Sequence, residues 1–204
     1  NLISTGVIGV NEIDQSKDIF SNASCTTNCV APVVQIIQDN FGIEKAILTT
    51  IHSFTSDQNL HDNSHHKDLR RARSAALNLV PTSTGAAKAT ADIIPSLKSK
   101  FDGLAIRVPT PTISISDITF LLSTDSKLED IKQTFIEAAQ GKYQGIVAVS
   151  EEPLVSSDFI ACEYSAVVDL PLLQLIDGNL LKVIAWYDNE WGYTCRLMEQ
   201  LSKI

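Results

Sequence analysis

No apolar run in this chain approaches the roughly 20 residues needed to cross a bilayer, so no transmembrane helix is expected. The opening stretch, NLISTGVIGVNEID, lacks the basic segment and apolar core of a secretory signal, and none is expected. Positive charge is scarce: 16 Lys and Arg stand against 24 Asp and Glu, a net charge of −8. That balance argues against general nucleic-acid or anionic-membrane binding, while leaving room for a local basic patch around a small anion. Cysteine is scarce too. Cys25 and Cys29 are close together, Cys162 and Cys195 are isolated, and the four make no disulfide framework. A reducing, cytoplasm-like compartment follows. There is no internal repeat, no low-complexity linker and no G-x-G-x-x-G.

What is present is ordinary globular material. An apolar fraction of 44% over 204 residues supports a sizeable core, in one large domain or a small one with an appendage. GVIGVN and IFSNAS read as short strands. Val30, Val33, Val34 and Ile37 then fall on one helical face, with Gly42 as the stop and Pro32 as an expected kink. AILTTIHSF reads as a strand ending near His52, followed by a polar segment from Ser56 to about Ser74. TSTGAAKATADIIPSL opens a second helix with Gly85 near its start. LAIRVP, ISISDITFLLS, GIVAVS, SAVVDL and LLKVIAWY read as strands, the last after an Asp177-Gly178-Asn179 turn. Ser126 and Glu129 read as a capping box ahead of Leu128, Ile131, Phe135 and Ala138. A last helix runs from Asn189 or Glu190 to Ile204, with Tyr193, Leu197 and Leu201 on one stripe. The fold class is α+β: a mixed, largely antiparallel sheet with helices packed on one face.

One stretch asks for chemistry. In SNASCTTNC, Cys25 falls at the first turn of a helix, where free N–H groups and the macrodipole favour a thiolate. Ser24, Thr26 and Thr27 add hydroxyls, and His52 at the end of the next strand is a candidate base. The plainer alternative is a small core cysteine and a hydrogen-bonded histidine. Cys29 reads as structural, since two thiols alone are a weak zinc signal. Arg107 in AIRVP is either a phosphate fork or an ordinary salt-bridge arginine. Gly85 presents backbone N–H groups at a helix start, or simply belongs to a capped helix. Arg70, Arg71 and Arg73 lie near Asp62 and Asp68, as in a solvated loop with ion pairs. His61, His65 and His66 have no carboxylate or cysteine at ligand spacing, so no metal site is assigned.

SNASCTTNC, TTIHSFTSDQ, DLRRARSAALNLVPTSTGAAKA, LAIRVPTP and WYDNEWGY together resemble the phosphorylating glyceraldehyde-3-phosphate dehydrogenase family, from about Ser21 to the end. The resemblance implies Cys25 as nucleophile and His52 as base. It implies Thr55, Asp57 and Arg107 for the substrate phosphate, and Ser24, Thr26, Thr84 and Gly85 for the attacking phosphate. Asn189 matches the residue that holds the nicotinamide carboxamide, and Tyr193 the aromatic beside the ring. The implied reaction oxidises glyceraldehyde 3-phosphate to 1,3-bisphosphoglycerate with NAD or NADP and inorganic phosphate, in glycolysis, gluconeogenesis or carbon fixation. The implied complete enzyme is a homotetramer, with the segment around Arg70 to Arg73 at its centre.

Two departures qualify the resemblance. The Gly-rich cofactor-binding half is not seen, so residues 1–22 are expected to be remnant strands of it, 23–188 the catalytic domain, and 189–204 a C-terminal helix that would pack on the cofactor domain. The chain alone is then expected not to reduce nicotinamide. Asn63-Ser64 stands where NAD-specific members have Leu-Pro, which is more like plastid and cyanobacterial members. That leaves NAD against NADP open and makes a plastid an alternative to the cytoplasm. Erythrose-4-phosphate dehydrogenase resembles the chain around the cysteine but lacks STGAAKA. A thiol acyltransferase or hydrolase, and a non-catalytic binding module, are the alternatives outside the dehydrogenases.

Overall fold

A computed structural model describes residues 2–203 of the chain. Asn1, and Ile204 at the end of the expected last helix, lie outside the described residues. Strands β1 (Ile3–Thr5) and β2 (Ile19–Ser21) form a small parallel pair of their own. GVIGVN, read as a strand, is instead a tight turn: Val10 and Asn11 N–H both donate to the Val7 carbonyl, and Gly9 takes a φ of 86°. The tight chain reversal overrides its β-branched composition.

Helix α1 (Cys25–Phe41) begins and ends where the sequence puts it. Ser24 is the N-cap, accepting the Thr27 N–H at 3.1 Å. Gly42 closes the helix at φ 67°, a left-handed value that suits glycine. The helix runs through Pro32 without a break, although that proline cannot donate to the Asn28 carbonyl.

The main sheet is built from β3 (Ile43–Ser53), β4 (Val80–Ser83), β5 (Phe101–Val108), β6 (Ser114–Leu122), β7 (Val147–Ser150), β8 (Ala166–Asp169), β9 (Gln174–Ile176) and β10 (Leu180–Tyr187). The order is β4-β5-β3-β6-β10-β8-β7, with β9 paired to β10. β3–β5 and β7–β8 are parallel and the other pairs antiparallel, which is the expected mixed, largely antiparallel sheet. Helices α1, α2 (Ala86–Ile93) and α3 (Leu128–Gln140) cover one face. Val33, Val34 and Ile37 of α1 meet Leu48, Ile118, Phe120, Leu181 and Val183 of the sheet and Ile131 and Phe135 of α3. Each such burial stabilises by about 1.5–3 kcal/mol. The capping box does not form: α3 starts after Lys127 with no side-chain cap, and the Ser126 hydroxyl turns to the Lys127 carbonyl at 3.5 Å.

Leu154, Phe159 and Cys162 pack on Val167 and Trp186 and cover the β8–β10 part of the other sheet face, which is open over β3 and β5. Ile47 is 61% and Leu104 44% exposed there. The last helix, α4 (Trp191–Leu201), is turned against its own hydropathy. Gly192, Arg196 and Gln200 face inward, while Leu197, Met198 and Leu201 are exposed. Inside, Arg196 donates to the Gly145 carbonyl at 2.7 Å.

Candidate active site

Cys25 is delivered by a strained corner. Ala23 takes a left-handed φ of 57°, which costs a non-glycine residue about 1–2 kcal/mol, and the chain then enters α1. The Sγ of Cys25 stands 3.5 Å from Nε2 of His52, the penultimate residue of β3. The His52 Nδ1 lies 2.7 Å from the Ser53 carbonyl. A proton on Nδ1 satisfies that carbonyl and leaves Nε2 free to accept from the thiol. Burial pushes the Cys25 thiol up, opposed by hydrogen bonding from Thr26 and by the charge of Arg107. Burial and then Arg107 push the imidazole down, to about 4. Neither group ionises readily alone. Moving one proton from Sγ to Nε2, however, creates a contact ion pair with no net charge, which burial penalises far less.

Strand register places the cations. In the parallel β3–β5 pair, His52 is the partner of Arg107. The Arg107 Nη1 lies 3.0 Å from His52 Nδ1, donates to the Ser53 carbonyl at 3.0 Å, and reaches Thr55 Oγ1 at 3.3 Å. A cavity of about 470 Å³ opens here. Ser24, Cys25, Thr26, His52, Thr55, Thr84, Gly85 and Arg107 all line it, so eight of the residues singled out from the sequence converge on one space. Arg71 lines it too, from the long loop between β3 and β4. Burial lowers the Arg107 guanidinium, and the like charge of Arg71 adds to that. Arg71 is paired with Asp57 and Asp68, whereas Arg107 has no carboxylate partner among the described residues, so the cavity favours an anion.

Gly85 fits that preference. It is the N-cap of α2, and a Cβ built on it meets nothing within 4 Å. Packing therefore does not require glycine here; the open space is the cavity. On the far side, the Thr26 Oγ1 is held at 3.0 Å by the Tyr187 hydroxyl, which also reaches Thr50 Oγ1 at 2.8 Å.

Of the residues that the resemblance assigns to the site, three do not line the cavity. Asp57 stands behind Arg71 and is bonded to it. Asn189 is buried beyond Ser53, its Oδ1 accepting from Ser53 Oγ at 2.9 Å and Ser114 Oγ at 3.0 Å. Tyr193 lies on α4. Asp188 sets that helix: its Oδ1 accepts the N–H groups of Glu190 and Trp191, both at 2.9 Å, and its Oδ2 accepts that of Ala161 at 2.9 Å. Sequence reasoning missed the reach of Arg71 and the roles of Tyr187 and Asp188. The arginine-rich run is visible in the sequence, but the path of its loop is not.

Residues 24–189 match the glyceraldehyde 3-phosphate dehydrogenase C-terminal domain. The chain belongs to this family. It is 51% identical over 202 residues to glyceraldehyde-3-phosphate dehydrogenase of Mycobacterium avium, covering 98% of the chain and 59% of that protein. Glyceraldehyde-3-phosphate dehydrogenase A of the Chlamydomonas reinhardtii chloroplast is 50% identical over 199 residues, 97% of the chain and 53% of that protein. A chloroplast glyceraldehyde-3-phosphate dehydrogenase of Arabidopsis thaliana is 50% identical over 97% of the chain and 50% of its own length. The chain thus spans between half and three fifths of the curated relatives it matches.

Proposed function

We propose that this chain is the catalytic part of a phosphorylating aldehyde dehydrogenase acting on glyceraldehyde 3-phosphate. The observation that carries the reading is the Cys25–His52 pair at 3.5 Å inside a cavity bordered by two arginines. His52 takes the thiol proton, and the thiolate adds to the aldehyde carbon. His52 returns that proton to the alkoxide, then removes it again as hydride leaves the same carbon, so a thioester remains on Cys25. Inorganic phosphate adds to the thioester, the thiolate leaves, and an acyl phosphate is released. NAD or NADP supplies the hydride acceptor. Asn189, with its carbonyl oxygen pinned by Ser53 and Ser114, would hold the carboxamide of such a cofactor, and Tyr193 would border its ring.

Arg107 and Thr55 suit the substrate phosphate, while Ser24, Thr26, Thr84 and Gly85 suit the attacking one. Arg71 serves the same cavity. Asp57, a carboxylate bonded to Arg71, acts by holding that arginine rather than by meeting an anion. The exposed stripe of α4 suits a cofactor domain, and the open sheet face suits a second subunit of a homotetramer. Four free cysteines suit a reducing compartment, cytoplasm or plastid.

The test joins the chain to a nicotinamide-binding domain and assays glyceraldehyde 3-phosphate, phosphate and either cofactor. Reduction that needs all three and is abolished by Cys25→Ser is the expected result. Reduction that survives Cys25→Ser sinks the assignment.

A further inference from the structure

The histidine-rich run closes into a ring with Arg71. His65 has only 7% of its side chain exposed. Its Nδ1 accepts the backbone N–H groups of Asp68 at 2.9 Å and Lys67 at 3.2 Å. A nitrogen that receives two donors carries no proton, so the ring N–H is on Nε2. That Nε2 faces Asp57 Oδ1 at 3.6 Å. The other oxygen of Asp57 takes Nη1 of Arg71. Arg71 Nε donates to Thr82 Oγ1 at 2.8 Å, and the Thr82 hydroxyl donates to Asp68 Oδ2 at 2.7 Å. Asp68, whose amide starts the circuit, ends it. His66 stacks on the outside of His65 at 4.9 Å.

We propose that His65 is a positioning residue of the anion cavity, fixing Asp57 and through it the guanidinium of Arg71. The inference rests on the reading of that cavity as an anion site. Asp57, Thr82 and the Ser83 carbonyl use one N–H each on Nη1, Nε and Nη2 of Arg71, leaving two of its five donors for a ligand. An imidazole suits the post because one rigid ring accepts backbone N–H on one side and offers N–H to a carboxylate on the other. Without it, Asp57 and Arg71 regain rotamers, and an incoming anion must order them again.

The test uses the alkylation of Cys25, comparing the anionic reagent iodoacetate with neutral iodoacetamide. Their rate ratio reads the pull of the cavity on an anion and is insensitive to general changes in thiol reactivity. Arg71→Ala is expected to lower the ratio, and His65→Ala to lower it about three- to tenfold, the effect of freeing one long side chain. His65→Gln, which keeps a donor toward Asp57, should recover most of it. The double variant should lose no more than Arg71→Ala alone, because His65 acts through that residue. Nitrogen-15 correlation of the unaltered protein should show the His65 proton on Nε2. An unchanged ratio in His65→Ala, additive losses, or a proton on Nδ1 would each overturn the proposal. An unchanged ratio in Arg71→Ala removes the anion-site reading itself, and the proposal with it.

Discussion

The Sγ of Cys25 and the Nε2 of His52 lie 3.5 Å apart in surroundings that disfavour a charge on either alone. Proton transfer within the pair is therefore the least costly route to a thiolate. Replacing His52 by Asn removes the acceptor and leaves the thiol to ionise unaided. Alkylation of Cys25 near neutral pH should slow, and its pH profile should move up by at least about one unit, worth about 1.4 kcal/mol. An unmoved profile would mean that the helix terminus and Arg107 suffice.

The same burial makes stability depend on pH. His52 titrates at about 4 in the folded chain against about 6.5 when unfolded. Between those values the unfolded chain binds more protons, so stability rises with pH and is lost as pH falls from 6.5 toward 4. The loss is on the order of 3 kcal/mol. Asp57, Asp62 and Asp68 are held below their ordinary value of 3.8, so their own losses begin lower. Urea titrations at pH 6.5 and 5 should show the slope in the parent and a flatter one in His52→Asn.

Gly85→Ala separates binding from folding. Nothing crowds the new methyl group, and the backbone there is ordinary helical at φ −83°. Thermal stability without phosphate should hold or rise by about 0.4–1 kcal/mol. The rise in melting temperature that phosphate gives, and chloride at equal ionic strength does not, should shrink. Arg107→Ala should shrink it as well. An undiminished rise in Gly85→Ala would show that the anion does not approach this helix terminus.

Tyr187→Phe removes the hydroxyl that Thr26 and Thr50 share. Thr50 keeps the Ile115 carbonyl at 3.3 Å, so Thr26 bears the loss. Stability should fall by about 1 kcal/mol, with a weaker phosphate response, read by urea midpoint and phosphate titration. Wild-type values in both would make the tyrosine a packing residue only.

The sequence was most legible where local chemistry decides structure. Ser24 and Gly42 bracket α1, and the strand ending at His52 stands where its β-branched run puts it. It was least legible where distant parts decide. β4 lies within VPTS, whose Pro81 disguises it; its pairing to β5 brings Thr82 opposite Ala105. β9 is three residues long and exists through its pairing with β10. Ser126 had the right spacing for a cap, but its own N–H is drawn to the Gly178 carbonyl at 2.8 Å in the neighbouring hairpin. In the site, Cys25 and His52 were readable because motif and element ends coincide. Arg71 was hidden because a loop carries it, and loops follow tertiary partners such as His65 and Thr82.

Asp188 has a mechanical consequence. One carboxylate grips the first turn of α4 with one oxygen and the Ala161 amide with the other, and Gly192 brings the helix so close to Tyr164 that a Cβ would sit 2.7 Å from its carbonyl oxygen. The helix and the 161–164 segment thus form a single lever, pivoted one residue from Asn189. A load placed on the outer side of α4 would meet these contacts before it reached the Asn189 amide. The far surface of that helix thus bears on the Asn189 amide through position rather than through contact.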